Sequence, residues 1–145
     1  MNFWQKIKPE WTLRLGLGLM YLYSGSDLFY HPEYWYGFAP QWFVNLISSF
    51  VSMDIYLRVQ GVGEFVIGLL LLAWFSGKRG VRIASVLGTL ELGMILLLAG
   101  VDPITFRDIG LFGAALALTL LVFKKDEESP LIKAEESKDN LVANP

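Results

Sequence analysis

Four stretches of this chain, roughly residues 11 to 30, 56 to 75, 81 to 101 and 105 to 123, are each apolar over about the 20 residues that a helix needs to cross a hydrocarbon core. In lipid every backbone N–H and C=O must bond within its own segment, so such runs are read as helices. The composition agrees, with 54% of residues hydrophobic and 18% charged, an apolar excess beyond the soluble balance. The first run is too long for a cleavable signal, is followed by no A-x-A site, and precedes three further runs, so it is read as a retained anchor. The expected fold is all-α, an integral membrane four-helix bundle formed by residues 1–123.

The basic residues orient the bundle. Lys6 and Lys8 precede the first run, Lys78, Arg79 and Arg82 lie at the second connection, and Lys124 and Lys125 follow the fourth run. The connections 31–55 and 102–106 contain neither lysine nor arginine, which places both termini in the cytoplasm. Aromatic residues mark the two interfaces: Trp4, Trp11, Trp74 and Phe75 inside, and Phe29, Tyr30, Tyr34, Trp35, Tyr36 and Trp42 outside. In the outer connection, Gln41, Asn45, Ser48 and Ser52 recur on one helical face and Phe43, Leu46, Ile47 and Phe50 on the other. That pattern predicts a short interfacial helix over about 41–53, with Gly37 as its turn and Pro40 as its start. The tail 124–145 has four lysines, six acidic residues and no aromatic side chain, and is expected to be disordered.

Composition also narrows the chemistry. The absence of cysteine excludes thiol–disulfide chemistry, Fe–S clusters and cysteine zinc sites, and the single histidine, His31, excludes bis-histidine haem within one chain. No metal site is expected and no cofactor-binding motif is present. There is no basic patch for nucleic acid, so the first partner is membrane lipid.

Two carboxylates stand out. The segments "GVGEFVIGLLLL" (61–72) and "GTLELGMILLLA" (88–99) share one pattern, placing Glu64 and Glu91 in apolar runs of opposite direction. Each lies about 13.5 residues from the midpoint of the intervening turn, hence about 20 Å above it and at a common depth. Gly61 and Gly68 flank Glu64 on one helix face, as Ala84 and Gly88 accompany Glu91, and small-residue faces are where membrane helices approach closely. An ionised carboxylate near the bilayer centre costs about 3 kcal/mol on insertion scales, so each must be protonated, paired or hydrated by a cavity. Arg58, Arg107, Asp108 and Asp27, with Ser24 and Tyr23, are the other polar groups of the outer half and complete a candidate polar site there. Arg14, Asp27, Arg58, Arg107 and Asp108 also lie close enough to helix ends to snorkel.

Three segments, "LRLGLGLMYLYSGSDLFYHPEYW", "GVGEFVIGLLLL" and "FRDIGLFGAALALTLL", carry a family resemblance. Over residues 11 to 123 the chain resembles the DoxX/DoxD family of small four-span bacterial and archaeal membrane proteins. The matching features are Arg14 with Gly16 and Gly25, Glu64 with Gly61 and Gly68, and Arg107-Asp108 before a Gly-Ala face. Leu28 stands where many relatives carry a lysine. The resemblance implies a bundle in the cytoplasmic membrane and a role beside redox enzymes, including thiosulfate-to-quinone electron transfer.

Three functions follow from these residues. The first is a membrane subunit or accessory of a redox system, holding a quinone headgroup or a small sulfur species, with Glu64 and Glu91 as proton acceptors and Arg58 and Arg107 as anion or carbonyl partners. Quinone is the one cofactor suggested, and a partner oxidoreductase subunit or a homo-oligomer the expected assembly. The second is a proton or small-solute carrier acting as an oligomer. The third is a scaffold in which Glu–Arg pairs only lock helices in register.

Overall fold

The computed structural model describes residues 8–73, 76–102 and 105–143, with side chains as far as Lys124. Trp4, Lys6, Trp74 and Phe75 lie outside the described residues, as does the side chain of Lys125. The described chain is all-helical: α1 (Pro9–Tyr30), a 3-10 helix (Pro32–Phe38), α2 (Gln41–Ser48), α3 (Met53–Leu72), α4 (Gly77–Ala99) and α5 (Phe106–Ala143). Local chemistry sets several of these limits. Pro9 opens α1 where its missing N–H costs nothing, and the Ser52 hydroxyl caps α3 by accepting from Ile55 N at 3.4 Å. Gly100, at φ +76°, closes α4 in a conformation that side chains disfavour.

The tightest packing joins α1 to α3, which run antiparallel with their backbones touching. A Cβ on Gly25 would fall 2.6 Å from the Gly61 carbonyl oxygen and 2.6 Å from Phe65 N, and one on Gly68 would fall 2.9 Å from the Gly18 carbonyl oxygen. Only glycine permits this approach. An arginine fastens each end of the pair. Near the start of α1, buried Arg14 donates from Nε to the Leu71 carbonyl at 2.7 Å and from Nη2 to the Ala73 carbonyl at 3.1 Å, with Glu10 3.6 Å away and the Trp11 ring beneath it. Near the start of α3, Arg58 donates from Nη1 to the Phe29 carbonyl at 2.6 Å and from Nε to Asp54 at 2.9 Å. Each guanidinium therefore satisfies carbonyls left over at the C-terminal end of the partner helix, where the helix dipole also favours a cation. For buried Arg14, hydrogen bonds of this charged kind contribute about 1.5–3 kcal/mol each.

The second pair, α4 and α5, meets through Thr89 and Thr119, whose hydroxyls lie 3.0 Å apart, through Phe112 against Gly93, and through Arg82 over the Phe123 ring. The two pairs share one core of Leu17, Tyr21, Ile67, Leu71, Val81, Ala84, Leu92, Ala115, Leu118 and Val122. Outside this core the bundle presents apolar side chains: Leu19, Val59, Leu97 and Leu120 are all more than half exposed. A contiguous apolar exterior of that kind matches lipid rather than water. Three helices, α3, α4 and the Phe106–Lys124 part of α5, are long and apolar enough to cross a membrane. The chain is thus a multi-pass membrane protein in contact with lipid. Helix α1 is of similar length but carries Glu10, Arg14 and Asp27, and is not among those three.

Several sequence expectations are corrected. Helix α2 ends at Ser48 rather than near 53, because Ser49 turns its hydroxyl back to the Asn45 carbonyl and Ser52 is already the cap of α3. Ahead of it, Pro32–Phe38 form a 3-10 helix that includes the expected turn residue Gly37. Helix α5 runs on through the start of the charge-rich tail to Ala143. Extending an existing helix needs no new nucleus, and α5 continues through Pro130 despite its missing N–H. Arg14 does not snorkel, being 6% exposed and turned onto the end of α3.

Candidate functional site

Where the shared core ends, the interior turns polar. Tyr21 projects from the same face of α1 as Gly18 and Gly25, spaced i, i+3 and i+7, so glycine packing against α3 directs it into the bundle. Its ring crosses to α4, where the hydroxyl donates to the Gly88 carbonyl at 3.0 Å. Gly88 makes the space, since a Cβ there would meet the Tyr21 hydroxyl at 2.9 Å.

Glu64 is buried beside Gly25, and Ser24 donates its hydroxyl to Glu64 Oε2 in a close contact. One turn earlier on α3, Gln60 donates from Nε2 to Glu64 Oε1 at 3.3 Å and to Glu91 Oε1 at 3.3 Å. A single amide nitrogen thus links carboxylates on α3 and α4. The other Glu91 oxygen, Oε2, is buried without a hydrogen-bond partner. Half-buried Tyr56 is within electrostatic reach of both carboxylates, and Asp108 of α5 within reach of Tyr21. The hydrogen-bonded constellation therefore draws on α1, α3 and α4.

The predicted site residues separate into two groups. Glu64 and Glu91 come together around Gln60, with Asp108 at the edge. Arg58 and Asp27 serve the connection between α1 and α3 instead. Arg58 is held by Asp54 and the Phe29 carbonyl, and Asp54 also accepts from the Tyr36 hydroxyl at 3.4 Å. Desolvation, and then the Asp54 carboxylate, hold the Tyr36 hydroxyl above the ordinary phenol range. Asp27 accepts from Trp35 Nε1 at 2.9 Å and lies 3.3 Å from His31 Nδ1, tying the 3-10 helix to the end of α1. Arg107 is exposed beside Asp108. Tyr23 points outward, 76% exposed, and the tyrosine that enters the site is Tyr21.

Sequence reasoning passed over Tyr21 and Gln60. Both left a signal: Tyr21 shares the Gly18–Gly25 face, and Gln60 is an amide four residues before Glu64 in a span otherwise short of polar groups. Among the described residues no group of three His, Cys, Asp or Glu side chains could hold a metal ion. No protein-family model, curated protein or solved structure matches the chain.

Proposed function

We propose that this chain is a four-span protein of the cytoplasmic membrane, both termini inside, that serves a redox system as the proton-accepting site for a hydroxyl-bearing headgroup of the quinol class. Helix α1 is the fourth span. Its antiparallel glycine contact with α3 and the placing of Arg14 on α3 carbonyls support this, since both keep its polar groups from lipid. The exposed Trp42, Leu46 and Phe50 support an interfacial position for α2. Cysteines placed at Ser48 and in the tail are expected to react with an impermeant reagent from opposite sides of the membrane, Ser48 from outside. Reaction of both from one side would overturn the topology.

The observation that carries the functional reading is the buried carboxylate pair, its members against each other and beside the neutral Ser24, Gln60 and Tyr21. Such a pair can accept and release protons, whereas a register lock would need arginine. Arg58, the arginine on the same helix as Glu64, is engaged instead by Asp54 and the Phe29 carbonyl. The same distribution disfavours an anionic sulfur species, which two carboxylates would repel.

The fit of a quinone group follows from the donors. Tyr21, Ser24 and Gln60 already spend their hydrogens on Gly88, Glu64 and the carboxylate pair. Glu91 Oε2 is the open acceptor. A reduced headgroup, which donates, therefore suits the site better than an oxidised one, which only accepts. When bound, a quinol supplies the electrons. Glu91 would take a hydroxyl proton at Oε2, Gln60 would orient that carboxylate through Oε1, and Glu64 would share the proton, the second hydroxyl proton following once the first has been passed on. The redox side of this reading rests on the resemblance to DoxX/DoxD proteins; the electrons would pass to a partner oxidoreductase subunit, the reverse of the thiosulfate-to-quinone direction that the resemblance implies. Solvent extraction of the purified protein is expected to recover quinone or quinol from wild type and at least tenfold less from Glu91→Gln. Recovery of none from wild type would overturn the redox reading.

A further inference from the structure

The two carboxylates lie against each other and share one further side chain that neither charge nor motif had marked. Gln60 sits on α3, one turn from Glu64, and faces α4 at the level of Glu91. Two carboxylate oxygens oppose its amide, which fixes the amide orientation: the nitrogen, not the oxygen, must point at them. That nitrogen has two hydrogens, and the two oxygens lie at the same distance, 3.3 Å. Both hydrogens are thereby committed, one to each helix. An amide carries no charge, so it can satisfy one oxygen of each carboxylate without cancelling either charge. Two like charges held by one neutral donor in a low-dielectric interior repel strongly, and a proton shared by the pair removes that repulsion.

We propose that Gln60 is the positioning residue that makes Glu64 and Glu91 a single proton-sharing unit, by donating one amide hydrogen to an oxygen of each. This rests on the reading of the pair as a proton-exchange site and adds what couples its members. The distances alone distinguish Gln60 from an ordinary packing amide, which would bond to one carbonyl on its own or a neighbouring helix. Ser24 closes the Glu64 side of the unit, and Tyr21, its hydrogen given to Gly88, stands beside the Glu91 side.

The test uses the full chain in lipid vesicles and dicyclohexylcarbodiimide, which modifies protonated carboxyl groups in membranes. Adducts at Glu64 and Glu91 are located by mass spectrometry over a pH series. Wild type is expected to carry an adduct on one of the two glutamates in any chain, with chains labelled at both nearly absent. In Gln60→Met, which keeps the length and removes the donor, neither Oε1 has a hydrogen bond, so both carboxyls take up protons and doubly labelled chains rise at least tenfold at neutral pH. In Gln60→Lys the ammonium compensates the charges and labelling falls at least tenfold. Should the lysine variant not be recovered, Gln60→Asn, whose shorter amide reaches one carboxylate, must lie between wild type and Gln60→Met. Adducts in wild type with unchanged stoichiometry and pH profile in Gln60→Met would overturn the role of Gln60 alone. Absence of adducts at both glutamates in wild type at every pH would overturn the proton-exchange reading beneath it.

Discussion

Glu91→Gln and Glu64→Gln are expected to lower quinol-dependent turnover in the intact membrane system by about 10²-fold or more, the usual contribution of a positioned proton acceptor. The same variants should stay within about 1 kcal/mol of wild-type stability in detergent, because an amide keeps the shape and removes a costly interior charge. Arg58→Gln should behave in the opposite way, losing its bonds to Asp54 and the Phe29 carbonyl and so destabilising the end of the α1–α3 pair without touching proton transfer. Combined with Glu64→Gln or Glu91→Gln, it should show a coupling energy below about 0.5 kcal/mol, the level expected of sites that share no contact. Thermal unfolding of the single and double variants gives that coupling directly. A coupling well above 1 kcal/mol, with turnover intact in the paired variant, would refute the proton-accepting role and leave a scaffold.

Gly25→Leu and Gly61→Leu should abolish the packed bundle. Even the first carbon of a side chain at either position would lie 2.6 Å from a carbonyl oxygen of the facing helix, and a backbone carbonyl cannot turn aside. Overpacking by a single methyl group costs about 1–3 kcal/mol, so Gly25→Ala and Gly61→Ala should already destabilise by that amount. Gly16→Ala and Gly63→Ala are the matched controls on the same two helices. Nothing lies within 4 Å of a Cβ at either position, and alanine there should be neutral or stabilising by about 0.5–1 kcal/mol. Equal unfolding temperatures across all four alanine variants would show that the α1–α3 contact does not hold the bundle together. Since Ser24 and Glu64 meet beside Gly25, separating these helices should also disassemble the carboxylate site.

Much of the architecture is legible in the chain because lipid imposes a simple demand. A span must be long, apolar and helical, and the runs ending near Leu72, Ala99 and Lys124 meet that demand by composition alone. The common depth of Glu64 and Glu91 is legible for a similar reason, since rise per residue is constant along a helix and an antiparallel turn reflects one helix onto the next. The glycine faces of α3 and α1 are visible as periodicity.

Rotation about each helix axis is different, because it depends on which neighbour fills which groove. Whether Tyr21 or Tyr23 faced inward was settled by the Gly18–Gly25 contact with α3, and whether Gln60 reached one carboxylate or two by the setting of α4. The arginines show the same limit. From sequence, Arg14 and Arg58 are charges near helix ends that could reach water or a glutamate, but in the fold each meets unpaired carbonyls closer than either. The tail shows the converse, where a charge-rich composition excluded a packed core but had no bearing on whether α5 would continue. Sequence by itself determined which long apolar segments are helical and the relative depth of Glu64 and Glu91, since both follow from local chemistry and a fixed rise. Tertiary structure decided what each charge touches, since hydrogen bonds at 3 Å depend on the mutual rotation of helices that no single segment encodes.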